Sequence, residues 1–215
     1  MSIRKIPLVQ DEYYHIYSRG NDKRDIFHNH NDYERFQKSL YLANSDKHFR
    51  FETIENVYDV NRGNKMVFIG AYCLMPNHFH ILIKQSGENG ISKFMQKLLT
   101  AHSMYYNIKY ERTGSLFEGK FKVEHLGEDR YLKYIFSYIH LNPVKLIYPN
   151  WKEEGLADKK RVITFLNKYT YSSFLDYTEV NRQENAILDR SEFPDYFPST
   201  QHFENEIMDW INYRD

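Results

Sequence analysis

Met75-Pro76-Asn77-His78-Phe79-His80-Ile81-Leu82-Ile83-Lys84 is the stretch around which the chain is organised. Its two histidines stand at i and i+2, at the head of an apolar run rich in isoleucine. On a β-strand side chains alternate faces, so His78 and His80 point one way and Phe79 the other. Residues 67–74 are almost continuously apolar, and Met75-Pro76-Asn77 turns them into the histidine strand, which predicts a hairpin. Two imidazoles side by side on a strand make half of a metal site. Taken alone, the pair reads more readily as ordinary strand histidines with local hydrogen-bond partners.

Working outward, residues 13–18 are β-prone and form a first strand, which ends at a loop carrying Arg19, Lys23 and Arg24. Asn31 or Asp32 can cap a helix to about Asn44, with Phe36, Leu40 and Tyr41 on its inner side. Residues 49–58 read as a strand and 61–64 as a turn. After the break at Gly87 and Gly90, Ser92 can cap a helix to about Tyr110 with a stripe of Ile91, Met95, Leu98, Leu99 and Tyr106. Residues 117–126 are extended and carry Lys120 and Lys122; Glu128-Asp129 then opens a helix, acidic at its start as the macrodipole prefers. That helix must stop near Asn142, because Pro143 disfavours helical geometry in the residue before it. The order β-α-β-β-α-β-α predicts an α+β fold, with helices packed mainly on one face of an antiparallel sheet. Beyond Pro149 the composition changes, and residues 150–215 read as an appendage with a short helical pattern near residues 207–211, docked on a domain of residues 1–149.

At 215 residues the chain can bury one ample core, and 19 tyrosines and 15 phenylalanines make that core aromatic-rich. The longest apolar run, residues 66–75, is too short to span a bilayer, and the first residues lack the apolar region of a signal peptide. Cys73 is the one cysteine and has no disulfide partner in the chain, so a soluble, cytoplasmic protein with no membrane partner is expected. Net charge is zero, yet unevenly spread. Residues 91–150 carry 9 Lys/Arg against 5 Asp/Glu, whereas residues 181–215 carry 3 against 8. An acidic tail masks a basic middle, and a basic face is the footprint of phosphate binding.

The helix before Pro143 places Tyr134, Tyr138 and Asn142 at i, i+4 and i+8, along one face. As packing, these are an aromatic stripe and a terminal cap. As chemistry, Tyr138 is a nucleophile and Asn142 an amide-oxygen ligand. His140 lies about 160–200° round the helix from Tyr138 and faces elsewhere. His28 and His30 form a second H-x-H, but flanking Asn and Asp mark a solvated loop.

The joint pattern decides between these readings. His15-Ile16-Tyr17-Ser18-Arg19-Gly20-Asn21, residues 75–83, Gly114-Ser115-Leu116-Phe117-Glu118-Gly119-Lys120-Phe121 and Tyr138-Ile139-His140-Leu141-Asn142-Pro143-Val144 follow one another in order. Together they resemble the single-tyrosine transposases of the insertion-sequence type, whose nucleases carry a histidine-hydrophobe-histidine (HUH) motif. The closer likeness is to REP-associated tyrosine transposases, where Tyr171-Ser172-Ser173-Phe174 resembles a segment beyond the catalytic domain. The likeness covers about residues 10–177. It implies a ferredoxin-like HUH nuclease domain with a C-terminal helical appendage. In the better-known members the residue four after the tyrosine is glutamine; here it is Asn142, one methylene shorter.

The resemblance implies a DNA transposase that cleaves and rejoins single-stranded DNA, with a hairpin as the form read. Tyr138 would form a 5′-phosphotyrosine intermediate. His78, His80 and Asn142 would hold a divalent metal, Mg²⁺ or Mn²⁺, although two imidazoles also accept Zn²⁺. Tyr134 is the rival nucleophile, and Arg19, Lys120 and Lys122 are expected phosphate contacts. Related enzymes include homodimers that share active sites, and the resemblance leaves a homodimer and a monomer both open for this chain. Two alternatives stay open: a metal-dependent nuclease that uses water, and a DNA-binding protein of transposase descent that does not cut.

Overall fold

The computed structural model describes residues 6–156 and 158–212. Four strands form one antiparallel sheet: β1 (Tyr13–Arg19), β2 (Val67–Met75), β3 (His78–Gln85) and β4 (Lys122–His125), in the spatial order β2-β3-β1-β4. The predicted hairpin is present, with Met75 facing His78 across a two-residue turn of Pro76 and Asn77. That turn is pinned from outside. The Pro76 carbonyl accepts from the amides of Ile26 and Phe27, the Asn77 carbonyl accepts from Gly20, and the Asn77 side chain donates to the Lys23 carbonyl.

A bulge at Gly70 lies between Ile69 and Ala71, and a Cβ there would meet the Phe193 ring at 2.8 Å. The extra residue reverses the alternation of the strand. Ile69 therefore joins one core, while Ala71 and Cys73 join the other. The helices divide accordingly and lie on both faces rather than mainly on one. α1 (His30–Ala43) and α2 (Gly90–Lys109) cover the face that bears Tyr14, Ile16, Phe79, Ile81 and Ile83. α3 (Asp129–Leu141) packs Ile135 and Ile139 toward Ala71, Cys73 and Leu82 on the other. A near-continuous apolar strand needs cover on both sides, and β2 and β3 are such strands. Both cores are rich in aromatic residues; Tyr14, Tyr72, Phe79, Phe136, Phe174 and Phe203 are fully buried.

Three local expectations change. α1 is capped by Asn29 and Asp32 in a reciprocal capping box, and α2 begins after Asn89, not Ser92. Residues 49–58 are not a strand but hold two 3-10 turns, Phe51–Thr53 and Val57–Asp59. Phe51, Ile54 and Val57 recur every three residues, the period of a 3-10 turn. α3 does stop at Leu141, near Asn142 as expected, yet Asn142 keeps helical angles (φ −54°, ψ −40°), and a 3-10 turn runs from Asn142 to Leu146 beyond it. Pro143 sits in the first turn of that piece, where its missing N–H costs nothing.

The C-terminal residues add α4 (Trp151–Glu154), α5 (Lys159–Leu166), α6 (Phe174–Tyr177) and α7 (Thr200–Asn212). Residues 171–173 run along the outer edge of β2: the Leu74 amide donates to the Tyr171 carbonyl and the Ser173 amide to the Tyr72 carbonyl, each at 2.9 Å. Phe203 and Ile207 of α7 enter the second core, and Glu206 pairs with Lys133 of α3 at 2.6 Å. No described helix is long and apolar enough to cross a membrane.

Candidate active site

Alternation along β3 sends Phe79 into the first core and leaves His78 and His80 on the opposite face, beneath α3. Their rings stand 5.0 Å apart and nearly perpendicular. His78 Nδ1–H donates to the Asn77 side-chain oxygen at 2.6 Å, the orientation of that amide being set by its own donation to Lys23. His78 Nε2 is therefore left without a proton. His80 Nδ1 lies 2.8 Å from Nε2 of His15 on β1, and His15 Nδ1 lies 2.9 Å from the Glu124 carboxylate on β4. Among the described residues no hydrogen bond takes up His80 Nε2.

Burial holds these imidazoles in the neutral form. It pulls His78 down to about 4, with Arg19 and Lys145 adding to the effect, and holds His80 well below its usual value. His15 is lowered by burial against the opposing pull of Glu124. A neutral imidazole with one nitrogen bare is the form that binds a metal.

Tyr138 of α3 presents its ring edge-on to His80 with centroids 5.5 Å apart, and stands 5.8 Å from His15. Tyr134 stacks on Tyr131, lies tilted by 60° against Trp210 of α7, and has its ring 5.9 Å from that of Tyr138. Burial raises the Tyr138 phenol above its ordinary value, and the Asn142 amide and the Lys152 ammonium oppose it. The Lys152 and Lys145 ammoniums lie 5.1 and 5.8 Å from the Tyr138 ring.

One cavity of about 570 Å³ is lined by His15, His78, His80 and Tyr138, together with Arg19, Lys120 and Lys122. The structure thus brings together six of the seven site residues read from the sequence. Asn142 borders a neighbouring cavity of about 300 Å³, across a wall that Tyr134, Tyr138 and Lys145 share. Its Nδ2 donates to the Tyr138 carbonyl, and its Oδ1 is buried with no partner among the described residues. The bare Nε2 of His78, a His80 ring nitrogen without a hydrogen-bond partner and an unpartnered amide oxygen are donors of the right chemistry for a divalent cation.

Sequence reasoning missed Lys145, Lys152, Glu124 and the role of His15. Lys145 arrives through the 3-10 turn that follows α3, a turn that the predicted helix stop near Asn142 did not include. His15 was visible, being two residues from Tyr17 on a strand, but its partners lie 65 and 109 residues away. His140 is buried on the far side of α3 and bonded to Ser173 Oγ at 2.7 Å. His28 is exposed on the loop and His30 at the start of α1, and they bond to Tyr106 and Tyr171.

No functionally curated protein matches the chain. Among solved structures, the chain is similar to one described as the REP-associated tyrosine transposase bound to a REP hairpin. The match has a TM-score of 0.56 at 12% identity and covers 90% of this chain and 89% of that one. At that identity the likeness speaks for the fold alone. The family described as "Transposase IS200 like" matches residues 8–142, a span that holds His15, both strand histidines, Tyr138 and Asn142. This chain belongs to the IS200-like transposase family.

Proposed function

We propose that this transposase cuts and rejoins single-stranded DNA through a covalent bond to Tyr138. The observation that carries the reading is the edge-on seat of Tyr138 against His80, in a cavity that Arg19, Lys120, Lys122 and Lys145 make basic. Tyr138 Oη would attack the scissile phosphorus. The Oη–P bond forms, the P–O3′ bond breaks, the phenol gives up its proton, and the departing 3′-oxygen takes one. The products are a 5′-phosphotyrosine and a free 3′-OH, and attack by a 3′-OH on that link reverses the step without ATP. The cations hold phosphate oxygens on the strand and offset charge as it develops. His78 and His80, with Asn142 as the third donor, would hold a divalent cation, Mg²⁺ or Mn²⁺, which when bound supplies charge neutralisation at the phosphate. The hairpin named in the structural relative's complex supports a folded-back single strand as substrate.

A second reading has one observation in its favour. Burial raises the Tyr138 phenol above its ordinary value, which makes it harder to ionise for attack and suits a structural tyrosine beside a nuclease that uses water. The two readings separate on one experiment. Wild-type protein incubated with Mn²⁺ and a labelled single-stranded hairpin is expected to yield a DNA adduct that survives denaturing electrophoresis. Tyr138→Phe should give no adduct and cleave at least ~10³-fold more slowly, as loss of a nucleophile does elsewhere. Cleavage by Tyr138→Phe at the wild-type rate would transfer the reaction to water.

A further inference from the structure

His15 has no place in the reaction just described, yet it is 3% exposed and bonded at both ring nitrogens. Burying a polar ring costs free energy unless its groups are paired, and both of its partners are side chains. One of them, Glu124, is 43% exposed and sits opposite His15 in the β1–β4 register. The other is His80. The three side chains therefore form a line across the sheet, from a solvated carboxylate to the cavity beside Tyr138.

The direction of the hydrogen bonds follows from that order. An ionised carboxylate only accepts, so His15 donates to Glu124 through Nδ1–H. A neutral His15 then has only a lone pair at Nε2, so the bond to His80 must be donated by His80 Nδ1–H. His80 is left with a bare Nε2, the nitrogen that no described group engages. Reverse the first bond and the last nitrogen is protonated and useless as a ligand. The sheet fixes the spacing: Tyr17 is the direct partner of His80, which sets His15 diagonally beside it.

We infer that His15 and Glu124 are positioning residues, a two-step relay that fixes the tautomer and ring orientation of His80 so that its Nε2 is presented to a divalent cation. The inference rests on the metal reading under Proposed function, but it makes a claim about the metal-free protein that can be read separately. Partners of this kind behind a ligating histidine contribute roughly 10- to 100-fold to metal affinity.

The test is long-range ¹H–¹⁵N correlation of the histidine rings in metal-free protein, paired with calorimetric titration of Mn²⁺. In the wild type, His80 is expected to carry its proton on Nδ1. His15→Phe keeps a ring but no acceptor; His80 should lose its single tautomer and Mn²⁺ should bind roughly 10- to 100-fold more weakly. His15→Gln places an amide oxygen where Nε2 stood and should restore both signals. Glu124→Ala, at a half-exposed position that does not threaten folding, should release the tautomer of His15 and weaken Mn²⁺ binding in the same direction. A proton on His80 Nε2 in the wild type overturns the relay, as does a His15→Phe protein with unchanged spectrum and affinity. Wild-type protein that shows the expected tautomer and binds no Mn²⁺ would overturn the metal reading and leave the relay supported.

Discussion

The Asn142 Nδ2 donates to the Tyr138 carbonyl at 2.9 Å, which turns its Oδ1 into a buried acceptor with no partner among the described residues. Leaving such an oxygen unmet costs about 1–3 kcal/mol, a cost that a cation reaching it would offset. Asn142→Ala removes the oxygen and should weaken Mn²⁺ binding about tenfold or more in calorimetry. Its thermal midpoint should barely move, because the lost hydrogen bond and the relieved acceptor offset each other. Unchanged Mn²⁺ affinity would remove Asn142 from the donor set.

Lys145 makes a different kind of prediction. It borders both cavities beside Tyr138, and burial lowers its ammonium below the ordinary value, with Lys152 contributing next. A cation that is half desolvated gains most from meeting a phosphate. Lys145→Met should weaken binding of a single-stranded oligonucleotide and flatten the plot of log affinity against log salt by about 0.7–1, the share of one phosphate contact. An unaltered salt slope would mean that Lys145 never touches the backbone.

How far the site could be read from sequence depends on how local each signal is. The H-x-H pair needs only the two-residue period of a strand, and Tyr138 needs only its position in an ordered set of motifs. Both were legible, as was the hairpin at Pro76 and Asn77. Glu124 was not, because nothing in sequence announces that it will stand opposite His15 in the β1–β4 register. Nor could alternation foresee the bulge at Gly70, which sends Ile69 and Ala71 to opposite faces and requires helices on both. Residues 49–58 mislead because their β-prone composition hides a three-residue spacing.

The segment beyond residue 150 is held in shape at the sheet edge by a buried ion pair within it, whose arginine also reaches the Tyr72 hydroxyl on β2 at 3.2 Å. Arg182 bonds both oxygens of Asp176, whose side chain is fully buried, and also donates to the carbonyls of Thr170 and Ser172 beside the edge of β2. Removing one partner leaves the other charge buried and unmatched, which costs about 3–5 kcal/mol. Asp176→Ala should therefore lower stability by about that amount in urea titration, while Lys38→Ala, which loses only an exposed pair with Glu34, should cost under about 1 kcal/mol. Equal losses in the two variants would refute that role for the pair.

Acid should unfold this protein through histidines far from the site. His102 donates to the Ile26 carbonyl in the first core and His140 is bonded to Ser173 in the second; burial pulls them down to about 4 and about 3. In the unfolded chain both take up a proton near pH 6.5, so between that pH and about 4 the unfolded state binds more protons. Stability is then complete above about pH 6.5 and falls as pH drops, by about 1.4 kcal/mol per pH unit for each histidine held neutral. His78, also held to about 4, adds to the slope. Urea midpoints measured from about pH 7.5 down to about pH 4.5 should follow this curve. His102→Gln keeps a donor for the Ile26 carbonyl and removes the titration, so its slope should be shallower by one histidine's share. A flat profile in the wild type, or an unchanged slope in the variant, would mean that these imidazoles already carry protons in the folded core.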